Sequence, residues 1–150
     1  MTHYQTTDKR SLIMKQVKSR NTKPELFVRS IFWKNRLRYR VKSNKLPGNP
    51  DIVFLKPRIA VFVNGCFWHR HIGCKRASIP RNNAELWEQK FSKTVRRDEE
   101  NYRKLIESGW KLILVWECKI KEKDIEQQLL NAFYSMVSSS EFSHKILSIG

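Results

Sequence analysis

Between Thr22 and Leu37 apolar side chains fall at Leu26, Phe27, Ile31, Trp33 and Leu37, a spacing that predicts a helix with a broad apolar face. Thr22 and Glu25 read as a Thr-x-x-Glu capping box at its start, with Pro24 in the first turn. The turn-rich residues 46–51 lead into a short apolar run at 51–55, and Lys56, Pro57 and Arg58 connect it tightly to residues 59–63. Two antiparallel strands are expected there, the second closed by Gly65. A long helix fits residues 83–108, stopped by Gly109, and residues 111–116 follow as a third, buried strand. A last helix over about residues 124–137 carries Ile125, Leu129, Phe133 and Val137 on one stripe. The order α, β-β, α, β, α predicts an α/β fold, a mixed central β-sheet flanked by helices on both faces. Ahead of it, residues 11–20 fit a short helix, and the polar, unpatterned residues 1–10 a flexible N-terminal arm.

Charge narrows the partner. The 150 residues, read as one domain over 1–150, carry 30 Lys and Arg against 14 Asp and Glu, a net charge of +16. The cations are spread from Lys9 and Arg10 through Arg36, Arg38, Arg40 and Lys42 to Arg96 and Arg97. A polyanion is the expected partner, nucleic acid before a membrane surface, since no long basic amphipathic helix is present to lie on lipid. No apolar run approaches the ~20 residues that span a bilayer, and the N-terminus lacks the apolar stretch of a signal peptide, so a cytoplasmic, nucleoid-associated protein is expected. In that reducing setting the three cysteines point to metal ligation or idle thiols rather than disulfides.

Cys66, His71 and Cys74 form C-x4-H-x2-C after the second strand, and Cys118 lies just past the third. Three thiolates and an imidazole suit a tetrahedral, structural Zn²⁺; the competing reading is a buried small residue at Cys118 and unrelated loop residues elsewhere. His69 lies between two of these ligands and competes with His71 for the metal on spacing alone.

The acidic residues divide similarly. Asp51, at the mouth of the first strand, suits Mg²⁺, which takes oxygen ligands, or serves as a solvated turn residue. On the long helix Trp87, Phe91, Val95, Asp98, Tyr102 and Leu105 recur at helical spacing, which sets Asp98 on an apolar stripe. A carboxylate there needs a partner, either His69 or a salt bridge to Arg97 or Arg103. A His with an oriented Asp behind it serves as a general acid or base near neutral pH. Glu25 is a helix cap by its position, or an acid that orders metal-bound water. By periodicity Trp87 is equally a core residue of the helix, whereas Phe67 and Trp68, adjacent in a basic loop, are not expected to face one core unless that loop is irregular.

Three stretches, Leu-Pro-Gly-Asn-Pro-Asp-Ile-Val, Val-Asn-Gly-Cys-Phe-Trp-His-Arg-His and Trp-Lys-Leu-Ile-Leu-Val-Trp-Glu-Cys, together resemble the very short patch repair endonucleases over about residues 9–122. The resemblance implies a restriction-endonuclease-like fold and nicking of one DNA strand beside the thymine of a T·G mismatch. It implies Mg²⁺ on Asp51 and the main-chain carbonyl of Val63, His69 as the catalytic histidine oriented by Asp98, and Glu25 ordering metal-bound water. It places structural Zn²⁺ on Cys66, His71, Cys74 and Cys118. Phe67, Trp68 and Trp87 match positions that wedge into the base stack, and Met14 would enter from the opposite groove. Arg20 and Lys90 are candidates for base readout. The implied partner is mismatched double-stranded DNA, bound by a monomer, with transient contact to other repair proteins. Two departures stand out: Asn64 occupies the place of a second histidine, and the stretch from Cys66 to Cys74 is one residue longer. The competing functions are a nuclease acting on fully paired DNA and a non-catalytic, zinc-stapled DNA-binding module.

Overall fold

The computed structural model describes residues 20–41, 45–139 and 145–150. Met14, the N-terminal arm and most of the expected helix over 11–20 lie outside the described residues. The elements are α1 (Lys23–Lys34), β1 (Ile52–Phe54), β2 (Ile59–Asn64), α2 (Ala84–Glu107), β3 (Lys111–Trp116), a 3-10 turn (Glu117–Lys119), α3 (Ile125–Ser138) and β4 (Ile146–Ile149).

Strand order in the sheet is β1-β2-β3-β4, with β1 antiparallel to β2 and the other pairings parallel. The Lys56–Arg58 hairpin forces the first relation, Arg58 adopting a φ of 55° to complete the turn. Crossing through α2 permits the second, because parallel strands need a long connection. Since both faces are covered, β1 is buried along its whole length instead of alternating. Ile52, Phe54, Ile59, Val61, Ile113 and Val115 pack beneath α1 and α3. Val53, Ala60, Phe62 and Leu112 face Leu105 and Tyr102 of α2 on the other side.

Helix α1 begins as its sequence predicts: Thr22 is the N-cap and its Oγ1 accepts from Glu25 N at 3.4 Å. Its buried face is not the one read from the sequence. Val28, Ile31 and Phe32 are buried together with Glu25, whereas Leu26, Phe27 and Trp33 are exposed and Leu37 lies beyond the helix. Of the predicted face only Ile31 is buried in the helix; Glu25 shares the buried side because Asn21 N and Arg29 satisfy its carboxylate. In α3 the stripe is largely as expected: Ile125, Leu129 and Phe133 are buried, joined by Ala132 and Met136, and only Val137 is half exposed. Strand β4 was not expected from the sequence; it adds to β3 from Leu112↔Ile146 to Val115↔Ile149.

At one end of the sheet the carboxyl ends of β2 and β3 come together with the start of β1. Open sheets bind ligands outside such strand ends. Each candidate residue between 51 and 118 is carried on this end or on the helix packed behind it.

Candidate active site and metal cluster

The turn before β1 aims Asp51. Gly48 has a φ of +78°, and a Cβ there would stand 3.2 Å from both Asn101 and the Phe62 ring, so glycine lets the chain press against α2 before entering the strand. Asp51 then receives Val63 N–H on Oδ2 at 2.7 Å, and its own N–H reaches Val61 O at 3.0 Å. The N–H and C=O of one strand residue point to the same side. Val63 therefore turns its carbonyl as well as its N–H to the β1 side of its strand, the side from which Asp51 accepts.

Burial pushes the Asp51 carboxyl up to about 6, against the Val63 hydrogen bond; nearby Glu25 also raises it, while Arg29 and His69 lower it. Glu25 itself is buried and accepts from Asn21 N at 2.9 Å and from Arg29 Nη2 at 3.4 Å. Arg29 reaches on to the Asp51 carbonyl at 3.3 Å and to Asn21 Oδ1 at 2.7 Å. Nothing in the spacing of the sequence singled out this arginine; its place one turn after Glu25 was the available signal.

The loop after β2 is wound through successive tight turns, with His69 N bonded to Gly65 O, His71 N to Cys66 O and Cys74 N to His71 O. In such winding, side chains two residues apart point to nearly opposite sides. His69 accordingly turns to α2, its Nδ1 2.6 Å from Asp98 Oδ2. The pair is partly buried, at 28% and 16% side-chain exposure, so one side of the imidazole remains reachable. The bland partners proposed for Asp98 are not used: Arg103 pairs with Glu107 one turn along the helix.

His71 turns the other way. Its Nδ1 lies 3.6 Å from Cys66 Sγ and 3.4 Å from Cys118 Sγ, and the ligand atoms of Cys66, His71, Cys74 and Cys118 are all within 4.8 Å of one another. A tetrahedral Zn²⁺ with S and N ligands sets neighbouring donors roughly 3.5–3.8 Å apart, so the donor set fits that ion. Burial pushes the Cys66 thiol up to about 12, while backbone donors led by Arg76 pull Cys74 down. The His71 ring stacks on Trp116 at 4.4 Å and 8°, and Glu117 accepts from Cys66 N at 3.2 Å, which fixes both strand ends around the cluster.

Phe67 and Trp68 do join one apolar group, because the loop is irregular. Phe67 contacts Trp68, Trp87 and Phe91 with ring centroids 5.1, 5.5 and 5.1 Å apart, and Trp68 meets Trp87 at 5.9 Å. Arg70, at a φ of 57°, lays its guanidinium 3.9 Å over Phe91 and donates to the carbonyls of Phe67, Ala77 and Ser78. Trp68 keeps 37% of its surface exposed, and Lys90 stands 5.2 Å from the Trp87 ring. Arg20 is exposed at the described N-terminal end.

Asn64 is buried and donates from Nδ2 to Tyr102 Oη at 3.0 Å. Burial raises the Tyr102 phenol to about 12, with the Asp98 and Asp51 carboxylates adding to the rise. The sequence reading singled out Asn64 but not its partner, having placed Tyr102 only as one residue of a helical stripe.

The family model described as DNA mismatch endonuclease Vsr matches residues 2–76. The chain is 41% identical over 131 residues to the Type II nicking enzyme V.NmeAIP of Neisseria meningitidis, covering 87% of this chain and 93% of that protein. It is 38% identical over 122 residues to the Type II nicking enzyme V.XorIIP of Xanthomonas oryzae, covering 81% and 89% respectively. Against the DNA mismatch endonuclease Vsr of Escherichia coli K12 it is 36% identical over 115 residues, covering 77% and 73%. No helix among the described residues is long and apolar enough to cross a membrane.

Proposed function

Because the chain belongs to the DNA mismatch endonuclease Vsr family, we propose that it is a Mg²⁺-dependent endonuclease that nicks one strand of duplex DNA beside the thymine of a T·G mismatch. The fold is then of the restriction-endonuclease type, and the single observation that carries the reading is the His69–Asp98 contact at 2.6 Å beside Asp51. Neither a DNA-binding module nor a zinc staple needs an imidazole oriented by a carboxylate next to a buried acid.

Asp51 and the Val63 carbonyl would hold Mg²⁺, which supplies charge to polarise the scissile phosphate. Asp98 accepts the Nδ1 proton of His69 and so fixes the tautomer that leaves Nε2 as the base. Nε2 takes a proton from the attacking water as its oxygen bonds to phosphorus; the P–O bond to the leaving oxygen breaks, and that oxygen takes up a proton. Glu25, held by Asn21 and Arg29, faces the same acid cluster and orders water there. Asn64 has no proton to exchange near neutral pH, so its hydrogen bond to Tyr102 gives it a positioning role.

Cys66, His71, Cys74 and Cys118 would hold a structural Zn²⁺ that fixes the loop bearing His69. Phe67, Trp68 and Trp87 supply the wedge: unstacking costs a few kcal/mol and least where pairing is already poor, which favours mismatched sites.

The test is nicking of a T·G duplex and of its fully paired counterpart in Mg²⁺, by the wild type and by Asp51→Ala. Nicking confined to the T·G duplex and lost in the variant is expected. Equal rates for wild type and variant would remove Asp51 from the mechanism. Equal cutting of both duplexes would assign the chain the activity carried by the words "nicking enzyme" in its relatives' names, without mismatch selectivity.

A further inference from the structure

The segment after α1 carries a feature that the candidate site does not use. Arg36 closes the turn after the helix at a φ of 62°, and residues 37–41 run along the outer edge of β1, tied there by paired bonds between Arg40 and Val53 of 2.8 and 2.9 Å. Leu37 and Tyr39 point inwards and pack on the core beneath α1. The Tyr39 hydroxyl is fastened to Arg29 O at 3.2 Å. Alternation then sends Arg38 and Arg40 outwards, the turn carries Arg36, and all three are exposed.

These cations are arranged, not scattered. Arg38 is stacked 3.9 Å over the exposed Trp33 ring and donates to Trp33 O at 3.3 Å, so its guanidinium is held in place. With Lys56 from the hairpin they rim a groove of about 510 Å³ whose lining contains no carboxylate. Among the described residues none of the four forms an ion pair, and Glu126 of α3 is held by Lys34 at 2.7 Å. A fixed row of like charges repels itself until an anion of regular spacing lies along it.

We infer that Arg36, Arg38 and Arg40 form a rail for the phosphodiester backbone of the duplex flanking the nick. The inference rests on the DNA reading above. Geometry supplies its extent. Arg40 stands opposite Val53, two residues from Asp51, and Arg38 two residues further, so the rail reaches about 13 Å from the site at roughly 3.3 Å per residue before Arg36 ends it at the helix turn. That length corresponds to about four base pairs at 3.4 Å each. Backbone contacts of this kind position the duplex and carry no base preference.

The test compares the wild type with Arg36→Ala/Arg38→Ala/Arg40→Ala and with the triple Lys variant, which keeps the charge. Binding is measured by anisotropy over a salt series. On a long, fully paired duplex the Ala variant should lose about 2–3 units of the slope of log K against log salt, near 0.9 for each lost phosphate contact, while the Lys variant retains most of it. On T·G duplexes trimmed to within about three base pairs of the mismatch on one side or the other, one trimming should remove most of the difference between wild type and Ala variant, and the other should leave it whole. Equal slopes for wild type and Ala variant would overturn the rail and leave an acidic protein segment as the groove's occupant. A slope change that survives both trimmings would reduce it to unlocalised charge. Failure of the T·G reading is read separately, as no preference for T·G over paired DNA, and leaves the paired-duplex slopes to decide the rail.

Discussion

One loop feeds two clusters of opposite character. Cys66 and His71 turn to Cys74 and Cys118, whose ligand atoms all lie within 4.8 Å of one another; His69, lying between them, turns to Asp98 and stays partly exposed. Burial raises one group in each, the Cys66 thiol to about 12 and the Asp51 carboxyl to about 6, so in each a cation would offset the cost of ionising a buried ligand. The difference lies in coordination. On the proposed reading, a closed set of four ligands would fix geometry and an open set would leave space for substrate, so the first would serve the second by holding the backbone of residues 65–74 still.

The largest effect should follow from opening the closed cluster. Cys118→Ser leaves three ligands and frees the loop from the end of β3, so zinc content by metal analysis should fall to a small fraction. Stability should drop by at least ~3 kcal/mol, roughly 10 °C in Tm for a chain of this length, and nicking should vanish with it. A variant that keeps its nicking rate without zinc would show that the catalytic loop does not depend on the cluster.

Smaller in stability but still large in rate is Asp98→Asn. The amide fits the same space, yet it favours the wrong His69 tautomer and no longer supports a charged imidazole, so the nicking rate should fall about 10²–10⁴-fold. Zinc content and Tm should stay near wild type. If they collapse together with the rate, the two clusters are one structural unit and the division of labour above is wrong.

Much of this arrangement could be read before the fold was known, and the reasons differ by residue. Asp98 announced itself because a carboxylate on an apolar stripe is anomalous, and the strands over residues 52–64 and 111–116 because sheets covered on both faces read as unbroken apolar runs. His69 and His71 could not be told apart by spacing, since which way each faces is set by the winding of the loop, a property of backbone angles such as the φ of 57° at Arg70. The face of α1 was misread because the helix offers two apolar stripes: Val28, Ile31 and Phe32 pack inwards beside Glu25, which Asn21 and Arg29 satisfy, while Leu26, Phe27 and Trp33 stay exposed. Arg29 and Tyr102 acquire their roles only through long-range contacts, to the Asp51 carbonyl and to Asn64, that no local pattern encodes. Strand β4 is four residues long and half exposed, so its pairing with β3 rather than its composition makes it a strand.

The smallest effect tests the open cluster from the side of stability. Asp51 is raised from its ordinary 3.8 to about 6, so between about pH 4 and pH 6 the folded chain holds a proton that the unfolded chain has released. Below that window the group is neutral in both states and contributes nothing. As pH rises through the window the folded state must ionise a buried acid, stability falls, and above about pH 6 the full cost, of order 1–3 kcal/mol, persists. Asp51→Asn removes the ionisation and keeps an oxygen to accept from Val63 N. In Mg²⁺-free buffer the variant should therefore melt roughly 5 °C above wild type at pH 7.5, match it near pH 4, and show no nicking at either pH. Added Mg²⁺ should raise the Tm of the wild type alone, because the cation takes the place of the lost proton and stabilises by mass action. A variant that melts below wild type at pH 7.5 would mean that the charged carboxylate is already compensated by Arg29 and His69, and that the open cluster stores no strain for a cation to relieve.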